Sequence, residues 1–165
     1  MSITNSFTAE EWTDVSLAPM LAGFAVTASD PSGLIGLFRE SSATAWSMKA
    51  MREPAGTLAS EIVAAYEDAE ARGAIRGAIR ELARGKTPAE ATTAAIARLA
   101  EVARLVAAKA PAEADAFRAW ISETAAGVAE ASTEGGFLGF GGEKVSEAER
   151  RTLAEIDTAL GLPVA

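Results

Sequence analysis

Three short sequence patterns mark the points at which helices begin in this 165-residue chain. Each is a capping box, in which a serine or threonine is followed three residues later by glutamate, so that side chain and backbone can bond reciprocally. The boxes are Thr8 with Glu11, Thr87 with Glu90, and Ser146 with Glu149. Pro88 also occupies the first helical position after Thr87, where proline is favoured. Helices are therefore predicted to start near the beginning, middle and end of the chain.

Alanine, the strongest helix former, is abundant between these starts, whereas aromatic residues make up only 6% of the chain. Apolar residues account for 49% and charged residues for 23%, which is typical of a globular protein and not of a disordered chain. A chain of this length can bury one hydrophobic core. We therefore predict an all-α fold in which residues 1–165 form a single domain, a bundle of six to seven helices.

Proline and glycine set the predicted helix ends in the first half of the chain. The first helix is expected over residues 8–29, with Pro19 kinking or splitting it. A second helix is expected from about residue 34 to about residue 53, between two proline-containing turns. Residues 55–84 are helical in pattern, but they form either one helix or two. A break near Gly73 is one alternative, because glycine weakens a helix by roughly 1 kcal/mol relative to alanine.

The second half of the chain continues the helical pattern. One helix starts at Thr87 and is expected to end before Pro111. The next carries large apolar residues at helical spacing, namely Phe117, Trp120, Ile121 and Val128. A glycine-rich loop over residues 135–142 then separates it from a last helix, which starts at Ser146 and ends at Gly161.

Charge and composition exclude several classes of function. The chain has a net charge of −8, which argues against sequence-independent binding of nucleic acids. It contains no cysteine and no histidine, which excludes disulfides, thiol chemistry, histidine-based catalytic triads and ordinary zinc sites. The opening MSITNSF lacks the features of a signal peptide, and no apolar run approaches the ~18 residues of a membrane span. We expect a soluble, cytoplasmic protein.

The glycine-rich loop carries three large apolar side chains, those of Phe137, Leu138 and Phe140. It does not fit a phosphate-binding loop, because Glu143 precedes Lys144 and no strand pattern precedes the glycines. Two alternatives stay open. Either the three side chains cover the end of the bundle, or they form an exposed apolar tip that contacts a partner or a bilayer surface.

Arginines recur every four residues from position 72 to position 84, at Arg72, Arg76, Arg80 and Arg84. This spacing places them on one helix face. Residues 72–109 contain eight basic and three acidic residues, a net charge of +5, whereas the rest of the chain carries −13. The face is either a solvated surface whose arginines meet acidic neighbours, such as Asp68, or a surface that binds anions, with an acidic patch on a second copy as the best candidate.

Gly73 and Gly77 lie four residues apart within the same segment. Small residues at this spacing allow two helices to pack closely. The close contact is expected either within the bundle or at a seam between two copies. The clustered carboxylates of the chain are interpreted as solvated helix faces or as complements to helix dipoles.

The chain also resembles known helical proteins in two segments. VTASDPSGLIGLFRE, residues 26–40, and GGEKVSEAERRTLAEIDTALGLP, residues 141–163, are similar to parts of the tellurite-resistance TerB-like domains. That family is all-α, and the resemblance implies a divalent metal site for Ca²⁺ or Mg²⁺ involving Asp30 and Glu149. The segments FTAEEW, APMLAG and GGFLGFGG resemble small alanine-rich bacterial proteins of no assigned function.

These observations favour a non-enzymatic helical protein that binds itself or another protein. The candidate surfaces are the Phe137–Phe140 tip and the arginine face from Arg72 to Arg84. The alternatives are a divalent-metal-binding TerB-like module, an enzyme that uses carboxylates or lysine, and peripheral binding to anionic membranes. No cofactor is expected apart from the Ca²⁺ or Mg²⁺ of the metal hypothesis.

Overall fold

The structure, a computed structural model, describes residues 2–29, 54–134 and 145–163. These residues form a short 3-10 helix at Ile3–Ser6 followed by six α-helices. In chain order the helices are α1 (Ala9–Ser29), α2 (Leu58–Glu67), α3 (Ala69–Ala83), α4 (Pro88–Lys109), α5 (Ala114–Glu134) and α6 (Glu147–Leu160). The predicted all-α fold is confirmed. The helix expected over residues 34–53 and the glycine-rich loop lie outside the described residues.

All three predicted capping boxes are formed. The backbone N–H of Thr8 donates to the Oε2 atom of Glu11 at 2.7 Å, and the N–H groups of Thr87 and Ser146 donate to their glutamates at 2.8 Å. In the first box the rings of Phe7 and Trp12 also meet, with centroids 6.2 Å apart. This is the hydrophobic staple that fixes the direction in which the chain enters a helix.

Helix α1 continues through Pro19, so the predicted split at this residue is wrong. Proline removes the N–H that would bond to the carbonyl of Val15. The carbonyl of the next residue, Ser16, accepts a hydrogen bond of 2.7 Å from the hydroxyl of Tyr66 on α2. Burial raises the pKa of Tyr66, so this hydroxyl stays protonated and available as a donor. Pro19 is buried, and the hydrogen bond from Tyr66 on α2 stabilises the turn of α1 that precedes it.

The segment 55–84 forms two helices, and the break lies at Asp68, not near Gly73. Asp68 adopts an extended backbone conformation, with φ −78° and ψ 131°. Its side chain accepts a hydrogen bond of 2.8 Å from the backbone N–H of Ala71. Asp68 is therefore the N-cap of α3, and the free energy of this cap decides the position of the break more than the low helix propensity of glycine does.

Helices α1 and α4 form the central antiparallel pair of the bundle. Asp14 on α1 pairs with Arg98 on α4 at 2.7 Å, and Glu11 pairs with Lys109 at the same distance. The earlier residue on α1, Glu11, pairs with the later residue on α4, Lys109. The two helices therefore run in opposite directions. Between these helices and their neighbours lies one continuous core that includes Leu21, Leu99 and Phe117 among its largest buried side chains.

The N-terminal residues are tied to α2 by a single carboxylate, that of Glu61. Its two oxygens accept hydrogen bonds from the backbone N–H groups of Ile3 and Thr4, at 3.0 and 2.7 Å, and from the hydroxyls of Ser2 and Thr4, at 2.8 and 2.6 Å. Ile3 in turn packs against the core. Glu61 therefore ties the N-terminal 3-10 helix to α2.

Candidate interaction surface

Helix α3 lies on the outside of the bundle and buries one side only. Ile75 is 1% exposed, and Ile79 and Leu82 pack partly buried against the core. The opposite side carries Gly73, Ala74, Arg76, Gly77 and Arg80, all of them exposed. We call these five residues the α3 face.

Among the residues that the structure describes, no contact requires glycine at either of these two positions of the α3 face. A Cβ atom built at Gly73 or at Gly77 would meet no atom within 4 Å, and both glycines lie within a regular helix. The described residues therefore show no close contact of these glycines inside the bundle, and the alternative of a seam between two copies stays a prediction. Each glycine lowers the stability of the helix by roughly 1 kcal/mol relative to alanine, with no packing gain within the described residues.

The four arginines of the predicted face have different roles. Arg72 is half-buried, and its Nη1 atom donates to the carbonyls of Tyr66 and Glu67, at 2.7 and 2.8 Å, rather than pairing with Asp68. It therefore satisfies carbonyl groups at the C-terminal end of α2. Arg84 forms an exposed pair of 2.9 Å with Glu81, a type of contact that contributes little to stability.

Arg76 and Arg80, the other two arginines of the predicted face, have no such contacts among the described residues. Both are exposed, and neither forms an ion pair with any of the residues that the structure describes. On α4, by contrast, Arg98 is held between Asp14 and Glu101, and these hydrogen bonds raise the pKa of its guanidinium. The positive charge of residues 72–109 is thus partly neutralised on α4 and available on α3.

Comparison with known proteins assigns no relative to this chain. No protein-family model, no curated protein and no solved structure matches it. Within the described residues, no helix is both long enough and apolar enough to cross a membrane.

Of the two residues of the predicted metal site, the structure describes only Glu149. Asp30 lies outside the described residues, as do Phe137, Leu138 and Phe140 of the predicted tip, so these assignments stay predictions. Glu149 is 3% exposed and belongs to the third capping box, where its Oε2 atom accepts from the N–H of Ser146 at 2.8 Å. Among the described residues, no group of three or more acidic side chains is placed to hold a metal ion.

The capping role of Glu149 predicts a loss of stability that does not depend on metal. In chelator-treated protein, Glu149→Ala should lower the free energy of unfolding by about 1–2 kcal/mol, because the first turn of α6 loses its reciprocal cap. Urea unfolding with and without millimolar Ca²⁺ or Mg²⁺ measures this loss. Exposed Glu147, on the same turn, supplies the control variant Glu147→Ala. A loss that appears only when the ion is present would favour the metal hypothesis instead.

The sequence pattern did not distinguish the exposed arginines Arg76 and Arg80 from Arg72, which has a structural role. Arg72 has the same spacing as Arg76 and Arg80, but the carbonyls that it binds are accessible only because the chain breaks at Asp68. The N-cap signal of Asp68, an aspartate preceding a helical pattern, was present in the sequence and would have located this break. The anchoring role of Glu61 depends on residues 57 to 59 positions away and has no local signal.

Proposed function

We propose that this chain is a non-enzymatic self-association module and that the α3 face is its binding surface. One observation carries the proposal: two exposed glycines that pack against none of the described residues lie beside two exposed arginines that form no ion pair with those residues. Glycine lets another backbone approach a helix closely, and the flanking arginines add charge selectivity. The negative charge of the rest of the chain makes a second copy a suitable partner.

The composition of the α3 face favours a protein partner over a bilayer. Peripheral membrane helices combine basic residues with large apolar side chains that enter the lipid. Apart from charged residues, which include Glu70 and Glu81 along one edge, the exposed side of α3 offers only glycine and the methyl group of Ala74. Such a surface can be approached closely by another helix, but it has nothing to insert into a membrane. Co-sedimentation with anionic vesicles at low salt would overturn this choice.

Replacing the two glycines should separate folding from assembly. The double variant Gly73→Gln with Gly77→Gln should raise the free energy of unfolding by about 1–2 kcal/mol in total, because glutamine is a better helix former and both positions are open. The same variant should weaken self-association, because the longer side chains keep a second helix away. Urea unfolding measures the first effect, and sedimentation velocity over a concentration series measures the second.

The exposed Ala108 on α4 provides the matched control. Ala108→Gln adds a similar side chain to a helix surface outside the α3 face, and it should leave self-association unchanged. A wild-type chain that remains monomeric across the concentration series would overturn the proposal. So would a glycine variant that associates as strongly as the wild type.

A further inference from the structure

Helix α3 carries opposite charges along the two edges of its exposed side. The middle of this side has no side chains at Gly73 and Gly77. Each edge carries two exposed charged residues, which we call the basic edge and the acidic edge: Arg76 and Arg80 on the first, Glu70 and Glu81 on the second. The exposed side of α3 is therefore an open strip between a positive and a negative edge.

This arrangement of charges is complementary to itself in one orientation. When two copies of α3 lie side by side and parallel about a two-fold axis, the basic edge of each copy meets the acidic edge of the other. When they lie antiparallel about a two-fold axis, the two basic edges meet, and so do the two acidic edges. Opposite charges across a contact favour association, whereas like charges oppose it. The charges therefore favour the parallel arrangement.

We infer that the α3 face of a second copy is the occupant of the α3 face, in a parallel two-fold pair. The inference rests on the proposed self-association and names its partner surface and its symmetry. The absence of side chains at Gly73 and Gly77 lets the two backbones approach closely. Arg80 of each copy then meets Glu81 of the other, because the two positions differ by only about 1.5 Å along parallel helices.

Both carboxylates of the acidic edge can accept a guanidinium from a second copy. Glu70 is exposed and forms no ion pair with any described residue. Arg76 lies about 9 Å further along the helix, a separation that the two extended side chains span together. Glu81 pairs with Arg84 of its own chain through its Oε2 atom, at 2.9 Å, and its Oε1 atom can accept from a second guanidinium. The Glu81 and Arg84 side chains are 66% and 71% exposed, so this pair contributes little to stability and is not fixed by packing.

The inferred symmetry predicts a closed dimer whose stability depends on the charge at position 80. A two-fold pair uses the same surface on both copies, so sedimentation velocity over a concentration series should show monomer and dimer and no larger species. Arg80→Glu should weaken the dimer at least about tenfold, because each edge contact then brings carboxylates together. Arg80→Glu with Glu81→Arg exchanges the two charges and should restore most of the lost affinity. The exposed Arg104 on α4 supplies the control variant Arg104→Glu, which should associate like the wild type. Larger species, or an Arg80→Glu variant that associates like the wild type, would overturn the inference.

Single cysteines test the orientation, because the chain contains no cysteine of its own. Arg84 lies at the C-terminal end of α3, so a parallel pair brings the two thiols of the Arg84→Cys variant together, and mild oxidation should link them. In an antiparallel pair centred on the two glycines, the same thiols are about 25 Å apart. Gly77→Cys, near the centre, should link in either orientation, and the exposed control Ala108→Cys on α4 in neither. Non-reducing gel electrophoresis measures the linked fraction.

The outcomes separate the inference from the proposed function. If Gly77→Cys links and Arg84→Cys does not, the α3 faces meet in another orientation, so the proposed function stands and the inference is overturned. If neither links but the glutamine variant of both glycines loses association, the α3 face binds a different surface of the second copy, and again only the inference is overturned. A wild-type chain that stays monomeric overturns both. Thermal melts followed by circular dichroism identify a variant that fails to fold, and the milder Arg80→Gln then replaces Arg80→Glu.

Discussion

Replacing Phe117 with alanine should lower the free energy of unfolding by about 3–5 kcal/mol. Phe117 is 2% exposed and is the largest fully buried side chain of the described residues. It lies in the first turn of α5, where its backbone N–H also bonds to the carbonyl of Glu113 at 2.8 Å. Truncation removes the apolar contacts of the ring and leaves a cavity that the surrounding helices fill only in part. Urea unfolding monitored by circular dichroism measures the loss.

Phe117→Met is the matched control, because it retains most of the buried volume and should cost less than about 1.5 kcal/mol. A domain of this kind typically has a total stability of about 5–15 kcal/mol, so the alanine variant should lose a large share of it. A loss below about 1 kcal/mol would mean that Phe117 is not part of a packed core. The proposed self-association should persist in the folded fraction of this variant, because Phe117 does not belong to the α3 face.

The sequence predicted the fold well where signals are local. The capping boxes at Thr8, Thr87 and Ser146 depend on side chains and backbone within three residues, and all three form as expected. At Pro19 and Gly73 the local signal was misleading. A helix tolerates proline when neighbouring helices hold it in place, and the N-cap at Asp68 outweighed the low propensity of Gly73.

The candidate surface could be predicted only in part. Four-residue spacing placed the arginines on one helix face, but spacing cannot show which side of the helix is buried. Gly73 and Gly77 were expected inside the bundle or at a seam between copies, and their exposure became evident only from the packing of Ile75 against the core.

Replacing Glu61 with alanine should release the N-terminal segment and lower the free energy of unfolding by about 2 kcal/mol. The Glu61 carboxylate accepts four hydrogen bonds, and hydrogen bonds to a charged group contribute more to stability than neutral ones do. Because the bonded groups are partly exposed to solvent, the total loss is smaller than the sum of four such contributions. Burial alone would raise the pKa of Glu61, but the bonds from Thr4, Ser2 and Ile3 hold it below the ordinary value of 4.5. The carboxylate form is therefore the one that the fold stabilises.

The direction of this pKa shift predicts a pH dependence. A carboxyl group whose pKa is lowered by folding contributes its full stability above the ordinary value of 4.5 and loses it as the pH falls through the lower folded value. The difference between wild type and Glu61→Ala should thus be constant from about pH 6 to pH 7 and shrink below about pH 4.5. Urea unfolding at each pH measures this difference, and exposed Glu67, also on α2, provides the control variant Glu67→Ala. A difference that does not change with pH would show that the Glu61 carboxylate is not what fixes the N-terminal residues, and that the packing of Ile3 and Phe7 against the core is sufficient.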